Sequence, residues 1–364
     1  MRIDWYIARQ FIRSFLLVFS VFFGIVYLID MVEQMRRFDS ETVGLVEAAA
    51  LALLKAPATM YRMLPLLTVL ATISLFLKLS RTSEMVVMRA SGRSALRTLV
   101  SPVLTAALFG ALGVAALNPI VAATSKQFEI VAQRYAGNSS TLSISDEGLW
   151  LRQASRGGQV VIKAERSNLD GTEIYGVTFY GFDQQGEVTY RIAAERAVLE
   201  PGRWALSAAK RWTFGGVSGA AETVETYASL FLPSDLTRDQ IQDSFGSPSA
   251  IPIWELPKSI DQLDRAGFSA LQHRVWLNME LANPILLVAM VLIGAGFTMR
   301  HTRFGRTGLM VLFAILMGFS IYFLRNFAQV LGENGQIPII VAAWMPPVAG
   351  ILMSLGLLLH TEDG

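Results

Sequence analysis

Apolar residues in this chain come in long blocks separated by short charged stretches. Six blocks approach the roughly 20 residues needed to cross the hydrocarbon core of a bilayer. They are Phe11–Ile29, Ala56–Leu77, Thr98–Val121, Leu281–Met299, Thr307–Leu324 and Ile337–Leu359. Arg62 interrupts the second and must lie near an interface or face a cavity. Between the third and fourth blocks, from about Gly137 to Ala250, the pattern becomes polar, with partial period-2 alternation. Strand-like runs include Val160/Ile162, Tyr175/Val177/Phe179, Val188/Tyr190/Ile192, Trp204/Leu206, Trp212/Phe214 and Val224. Turn signals separate them at Gly157-Gly158, Asp170-Gly171, Gln185-Gly186, Pro201-Gly202 and Gly215-Gly216. Evenly spaced strands without helices between them predict a sandwich or jelly roll. Pro257 to Arg265 then reads as a short amphipathic helix, with Leu256, Ile260 and Leu263 on one face and Gly267 as its stop.

The expected fold class is a polytopic α-helical membrane protein of six spans, with an all-β jelly-roll-like domain inserted between helices three and four. The expected domains are residues 1–136 (first membrane half), 137–255 (β domain) and 256–364 (amphipathic connector and second membrane half). A composition of 52% hydrophobic and 16% charged residues agrees with this layout. Basic residues set the orientation. Arg2, Arg9 and Arg13 precede span one, Lys78, Arg81, Arg89, Arg93 and Arg97 follow span two, and Arg300, Arg303 and Arg306 follow span four. These belong on the cytoplasmic side, which puts both termini in the cytoplasm and the β domain outside it. No small-residue cleavage site follows the first apolar run, so it reads as a retained span.

Several chemistries lose their support. The chain has no cysteine, so no disulfide or thiolate metal site is available. No basic domain points to nucleic acid. A phosphate-cradling G-x-x-x-x-G-K-[S/T] loop is absent, as are H-E-x-x-H and G-x-S-x-G, so an active transporter would take its energy from a partner. His273, His301 and His360 stand far apart near span ends and read as interfacial polar residues. Asn138-Ser139-Ser140 matches a glycosylation acceptor by a pattern frequent by chance.

The connector between spans two and three, Arg81-Thr82-Ser83-Glu84-Met85-Val86-Val87-Met88-Arg89-Ala90-Ser91-Gly92, is too short to span and well built for one helix at about 82–91. Thr82 or Ser83 is expected to cap it, Glu84 to sit in its first turn and Gly92 to stop it. Met85 and Met88, one turn apart, form an adaptable apolar face suited to docking.

This segment resembles the coupling helix of the LptF/LptG family of lipopolysaccharide-export ABC transporter permeases, through the pattern R-x-S-E-x-V-V-M-x-A-S-G, and is nearer its LptG branch. Gly148-Leu149-Trp150 and Leu277-Asn278-Met279 are also similar. The resemblance implies a non-catalytic inner-membrane subunit that extracts lipopolysaccharide from the outer leaflet. The cargo passes to a periplasmic β-jelly-roll bridge toward the outer membrane. Its implied partners are an LptF-like permease subunit, an LptB-like ATPase dimer and an LptC-like single-span protein. This chain would bind no cofactor, and ATP and Mg would be used by the partner ATPase. Glu84 would sit in the ATPase groove, with Arg81, Met85 and Met88 packing around it.

Lipopolysaccharide is anionic and multiply acylated, so its cavity should be apolar with cations at the outer rim. Candidate cations are Arg36, Arg37, Lys55, Arg62, Lys126, Arg134 and Arg325, each also placed where long basic side chains snorkel. Lys55, Arg62 and Arg325 are expected at one membrane level. Candidate acyl contacts are Phe22, Phe23, Val26, Met60, Met63, Leu64, Phe319, Tyr322 and Phe323. Asp30 departs from the lysine of some relatives, which implies either a different head group or an ion pair with a nearby arginine such as Arg36 or Arg37. Alternative readings are a permease for another lipid or a lipoprotein, a membrane enzyme acting on a lipid head group, and an envelope scaffold.

Overall fold

The structure is a computed structural model. It describes residues 2–38, 44–136, 142–145, 148–155, 158–168, 172–183, 185–214, 221–234, 236, 248–265, 269–299 and 307–362. The turn residues Gly157, Asp170-Gly171 and Gly215-Gly216, the stop Gly267, the Asn138-Ser139-Ser140 triplet, Arg300, Arg303, Arg306 and His301 lie outside these. The chain forms two compact units. One comprises Met1–Tyr135, Ser249–Trp254 and Leu271–Gly364, and the other Ala136–Pro248 and Glu255–Ala270.

The first unit is helical. It contains α1 (Arg2–Arg37), α2 (Leu45–Arg81), α3 (Glu84–Ala90), α4 (Ala95–Leu112), α5 (Asn118–Ala136), α7 (Leu271–Thr298), α8 (Thr307–Glu333) and α9 (Ile339–Glu362). A five-residue π-helical turn, Gly113–Leu117, joins α4 to α5 and makes them one continuous span. Among the described residues six helices are therefore long and apolar enough to cross a membrane, as expected. They overrun the apolar blocks. At 1.5 Å per residue the 36 residues of α1 reach about 54 Å, well beyond a hydrocarbon core of roughly 30 Å. Backbone hydrogen bonding continues into charged sequence, where hydropathy no longer marks it.

Burial ranks the spans. The apolar windows of α7 and α2 are 72% and 61% buried, against 11% for α1 and 17% for α8. The centre of the unit is thus α2 against α7, with α1 and α8 on its flanks. Small residues allow close approach, as helix packing in an apolar solvent favours. A Cβ on Gly110 would run into the Pro284 backbone, and one on Gly318 would meet Val69 Cγ2 at 3.0 Å. The π-turn releases a backbone carbonyl, and the segment Ser249–Trp254 uses it: Trp254 Nε1 donates to Ala115 O at 3.2 Å. The adjacent Ile253 N donates to Asn118 Oδ1 at 2.9 Å.

The second unit is one antiparallel sheet. Its strands are β1 (Leu142–Ser145), β2 (Gly148–Ser155), β3 (Gly158–Ala164), β4 (Arg166–Ser167), β5 (Glu173–Phe182), β6 (Val188–Glu200), β7 (Arg203–Phe214) and β8 (Ala221–Pro233). The order β1-β2-β3-β5-β6-β7-β8, with β4 paired to β5, is a meander. The all-β insert is as expected, but among the described strands no crossover of the Greek-key kind that defines a jelly roll occurs. The core face runs through Leu151, Ile162, Phe179 and Ile192, which are successive cross-strand partners. Phe179 meets Trp204 edge-on at 6.2 Å.

Besides the register shifts at Gly181/Phe182 and Thr213/Phe214, the alternation slips at mid-strand. Pairing runs from Tyr175↔Arg196 to Val177↔Ala194, from Arg196↔Ser207 to Ala193↔Lys210, and from Ser207↔Ser229 to Ala209↔Tyr227. The skipped positions Gly176, Glu195, Ala208 and Ala228 fall in one row. Gly176 and Ala208 both take positive φ, 61° and 53°. The row is a crease, and it moves the buried positions by one along β5, β6 and β7.

Helix α6 (Leu256–Arg265) buries Leu263 and packs Ile260 into this core. The expected boundary after residue 255 is corrected accordingly. The amphipathic helix belongs to the β unit, because its apolar face finds the sheet's core, while Ser249–Trp254 belong to the helical unit.

Candidate functional site

Helix α3 follows α2 after a two-residue corner and is locked at both ends by left-handed residues. Ser83 has φ 59° and Gly92 φ 79°. The expected side-chain cap is not made. Ser83 is left-handed and offers only its carbonyl, to Val86 N at 3.1 Å, while Thr82 Oγ1 donates to Lys78 O and Glu84 Oε1, each at 3.0 Å. At the other end Gly92 N donates to Arg89 O at 2.9 Å and Arg93 N to Met88 O at 3.3 Å, the paired bonds of a Schellman stop. Ser94 caps α4 immediately afterwards by accepting from Arg97 N at 3.2 Å.

Met85 and Met88 share a face, as their spacing predicts, but it is the inner one. They are 6% and 8% exposed, in one apolar cluster with Ile7 and Phe11 of α1, Leu79 of α2, Leu99 of α4 and Met299 after α7. The expected docking face is therefore corrected. The outer surface of α3 carries Val86 and Val87, 52% and 69% exposed, with Ala90 beside them. Arg81 is exposed at the end of α2. Glu84 is half-buried and accepts from the Tyr6 hydroxyl at 2.9 Å as well as from Thr82.

At the opposite end of α1 the candidate cations have different surroundings. Arg36 and Arg37 are exposed, with the Arg37 guanidinium over the Phe38 ring at 5.6 Å. Lys55 is held by two carboxylates, Asp30 at 3.1 Å and Glu33 at 3.2 Å. Asp30 thus pairs with Lys55 and not with the expected arginines, because its side chain points from α1 into α2 and is only 8% exposed. Arg62 and Lys126 are exposed. Arg325 is half-buried and donates to Asn326 Oδ1 at 3.3 Å. The side chain of Arg134 lies outside the described residues. The shared level expected for Lys55 and Arg62 is corrected too. They lie seven residues apart on an unbroken helix, roughly 10 Å along its axis.

The nine candidate acyl contacts do not form one wall. Met60 and Leu64 are closed inside the core at 2% and 6% exposure, since α2 is a central helix. Phe22, Phe23, Val26 and Met63 pack partly buried against the same core. Tyr322 joins a separate cluster with Val69 and Leu286, while Phe319 and Phe323 are 55% and 62% exposed on the flanking α8.

The sequence reading missed a buried polar pair. The Tyr61 hydroxyl donates to Glu280 Oε2 at 2.5 Å, with the two residues 6% and 1% exposed. The fourth block was drawn from Leu281, which left Glu280 just outside, whereas α7 begins at Leu271 and carries it inside. His273, expected near an interface, is 4% exposed, and His360 is exposed.

The chain matches the family described as Lipopolysaccharide export system permease LptF/LptG over residues 5–360. Two relatives, both named Lipopolysaccharide export system permease protein LptG, come from Escherichia coli (strain K12) and Escherichia coli O6:H1 (strain CFT073). Each is 23% identical over 363 residues, covering 98% of this chain and 98% of the relative. A match across both membrane halves and the inserted sheet places the whole architecture within it: the chain belongs to the LptF/LptG family of lipopolysaccharide export permeases.

Proposed function

We propose that this chain is the LptG-like membrane subunit of an ABC transporter. In this reading it extracts lipopolysaccharide from the outer leaflet of the inner membrane and passes it to a periplasmic β bridge. ATP hydrolysis occurs in a separate LptB-like dimer, and LptF-like and LptC-like subunits complete the complex. The termini and α3 face the cytoplasm and the β unit the periplasm, on the strength of the basic residues around α3.

The observation that carries the reading is α3 itself, a seven-residue helix fixed by left-handed corners and glued to the unit by its inner face. Val86, Val87 and Glu84 are the groups offered outward, an apolar patch beside one carboxylate. This fits an ATPase groove with a basic residue near its edge. Arg36 and Arg37 are exposed and available to an anionic head group, as are Arg62 and Lys126, whereas Lys55 is already neutralised.

Co-purification from native membranes, with identification of bound protein and lipid, tests the assignment. Recovery of an ATPase and lipopolysaccharide is expected with the native chain, and loss of the ATPase with Glu84→Lys. Recovery of neither from the native chain would end this reading.

A further inference from the structure

Helix α3 is not attached to α2 and α4 alone. Tyr6 Oη donates to Glu84 Oε2 at 2.9 Å, and Asp4 pairs with Arg93 just beyond the Schellman stop. Ser101 Oγ on α4 donates to the Asp4 carbonyl at 2.6 Å. Beneath these polar contacts Ile7 and Phe11, both 0% exposed, share the apolar cluster of Met85 and Met88. The first three turns of α1 therefore reach α3 through Tyr6 and contribute Ile7 and Phe11 to the apolar cluster beneath it.

Further along, α1 changes character. Its apolar window is 11% buried, and Leu16, Leu17, Val21, Ile25 and Leu28 are each about half exposed or more. At the far end Lys55 ties Asp30 and Glu33 to α2. The helix contains no proline, whereas α2 has two, Pro57 and Pro65, and is packed on most sides. One face of α1 packs along α2 and the other stays open, so a helix fastened beside α3 at one end and uncovered on its outer side has more room to move with α3 than the enclosed α2 or α7.

We propose that Tyr6 and Asp4 are positioning residues of the coupling apparatus, joining α1 to α3 so that displacement of α3 is delivered along α1 to the end carrying Arg36 and Arg37. The proposal rests on the reading of α3 as the ATPase-docking helix. Tyr6 and Thr82 each engage one oxygen of Glu84. They fix the carboxylate's direction and leave it lone pairs for a basic group of the partner. The Asp4–Arg93 pair holds the other end of α3.

The test uses the full complex in proteoliposomes and reads three quantities: ATPase retained on purification, ATP hydrolysed, and lipopolysaccharide released per ATP. Tyr6→Phe removes one hydroxyl and keeps the ring. Release per ATP, read on the ATPase that is retained, should fall about fivefold, the scale of one such hydrogen bond. Asp4→Arg and Arg93→Asp should each uncouple, and the double exchange should restore coupling, which a merely structural loss would not do. Native release per ATP in both Tyr6→Phe and Asp4→Arg would overturn the proposal. If the native chain retains no ATPase, the docking reading itself has failed. If retention is lost in Glu84→Lys but Tyr6→Phe and Asp4→Arg couple normally, only the link through α1 has failed.

Discussion

Tyr61 on α2 and Glu280 on α7 join the two central helices through a 2.5 Å hydrogen bond, with Asn118, Asn283 and Arg325 as polar neighbours inside an otherwise apolar core. A carboxyl group there is costly unless donors surround it. Tyr61→Phe removes the donor and leaves the acceptor buried, for which a destabilisation of about 1–3 kcal/mol is expected. Glu280→Gln should cost less, since an amide oxygen still accepts from Tyr61. Thermal unfolding of the two variants in detergent orders them, and equal melting temperatures for Tyr61→Phe and the native chain would contradict the role given to this pair.

The limits of the sequence reading are physical. Periodicity showed that Met85 and Met88 share a face, and the structure agrees. It could not say which face is covered, because the covering residues, Ile7 and Phe11, lie some seventy positions away. The spans were legible from hydropathy, yet hydropathy stops at Glu280 and at Arg9 while the helices do not. In the sheet, Val177 and Phe179 were placed correctly on one face, but Tyr175 was not. The left-handed Gly176 between them shifts the alternation. Asp30 was assigned a partner among its own helix's arginines because sequence distance was the available measure; α2 brought Lys55 closer.

The corners of α3 separate conformational cost from contact cost. A Cβ on Gly92 would meet nothing within 4 Å, so Gly92→Ala is penalised only for its left-handed backbone, by about 1–2 kcal/mol. Ser83 is left-handed without being glycine, and Ser83→Gly should relieve part of that strain. Opposite shifts in unfolding midpoint are therefore expected from two substitutions at the two ends of one short helix. Shifts of the same sign would show that the corners do not have these conformations in solution.

The β unit carries an acid-sensitive contact. Glu173 accepts from the Tyr175 hydroxyl and pairs with Arg196 across the β5–β6 ladder, which together hold its carboxyl below the usual range. A lowered pKa in the folded chain stabilises it above the unfolded carboxylate's pKa, and that stability is lost as pH falls through the folded value. Glu173→Gln should therefore flatten the acid limb of the unfolding curve below about pH 4 and leave neutral behaviour nearly unchanged. An unaltered acid limb would remove Glu173 from the groups that set it.

The Asp30–Lys55–Glu33 cluster bears on cargo because it ends with one more negative charge than positive, beside the exposed Arg36 and Arg37. Asp30 is buried, and its Oδ2 has no partner among the described residues. Removing Lys55 would leave two carboxylates close together in a poorly solvated place. Lys55→Met is therefore expected to destabilise the α1–α2 contact by about 1–2 kcal/mol, between the scales of exposed and buried pairs, because Lys55 is 28% and Glu33 55% exposed while Asp30 is buried. Asp30→Asn instead leaves Lys55 with Glu33 alone and removes one negative charge beside Arg36 and Arg37, which makes this surface more attractive to an anion. Photocrosslinking to lipopolysaccharide from a probe at Met35 should then rise in Asp30→Asn and fall in an Arg36→Glu/Arg37→Glu double variant. If Asp30→Asn leaves crosslinking unchanged while the arginine variant lowers it, Lys55 serves only to fasten α1 to α2. If neither changes it, the head group does not contact this end of α1.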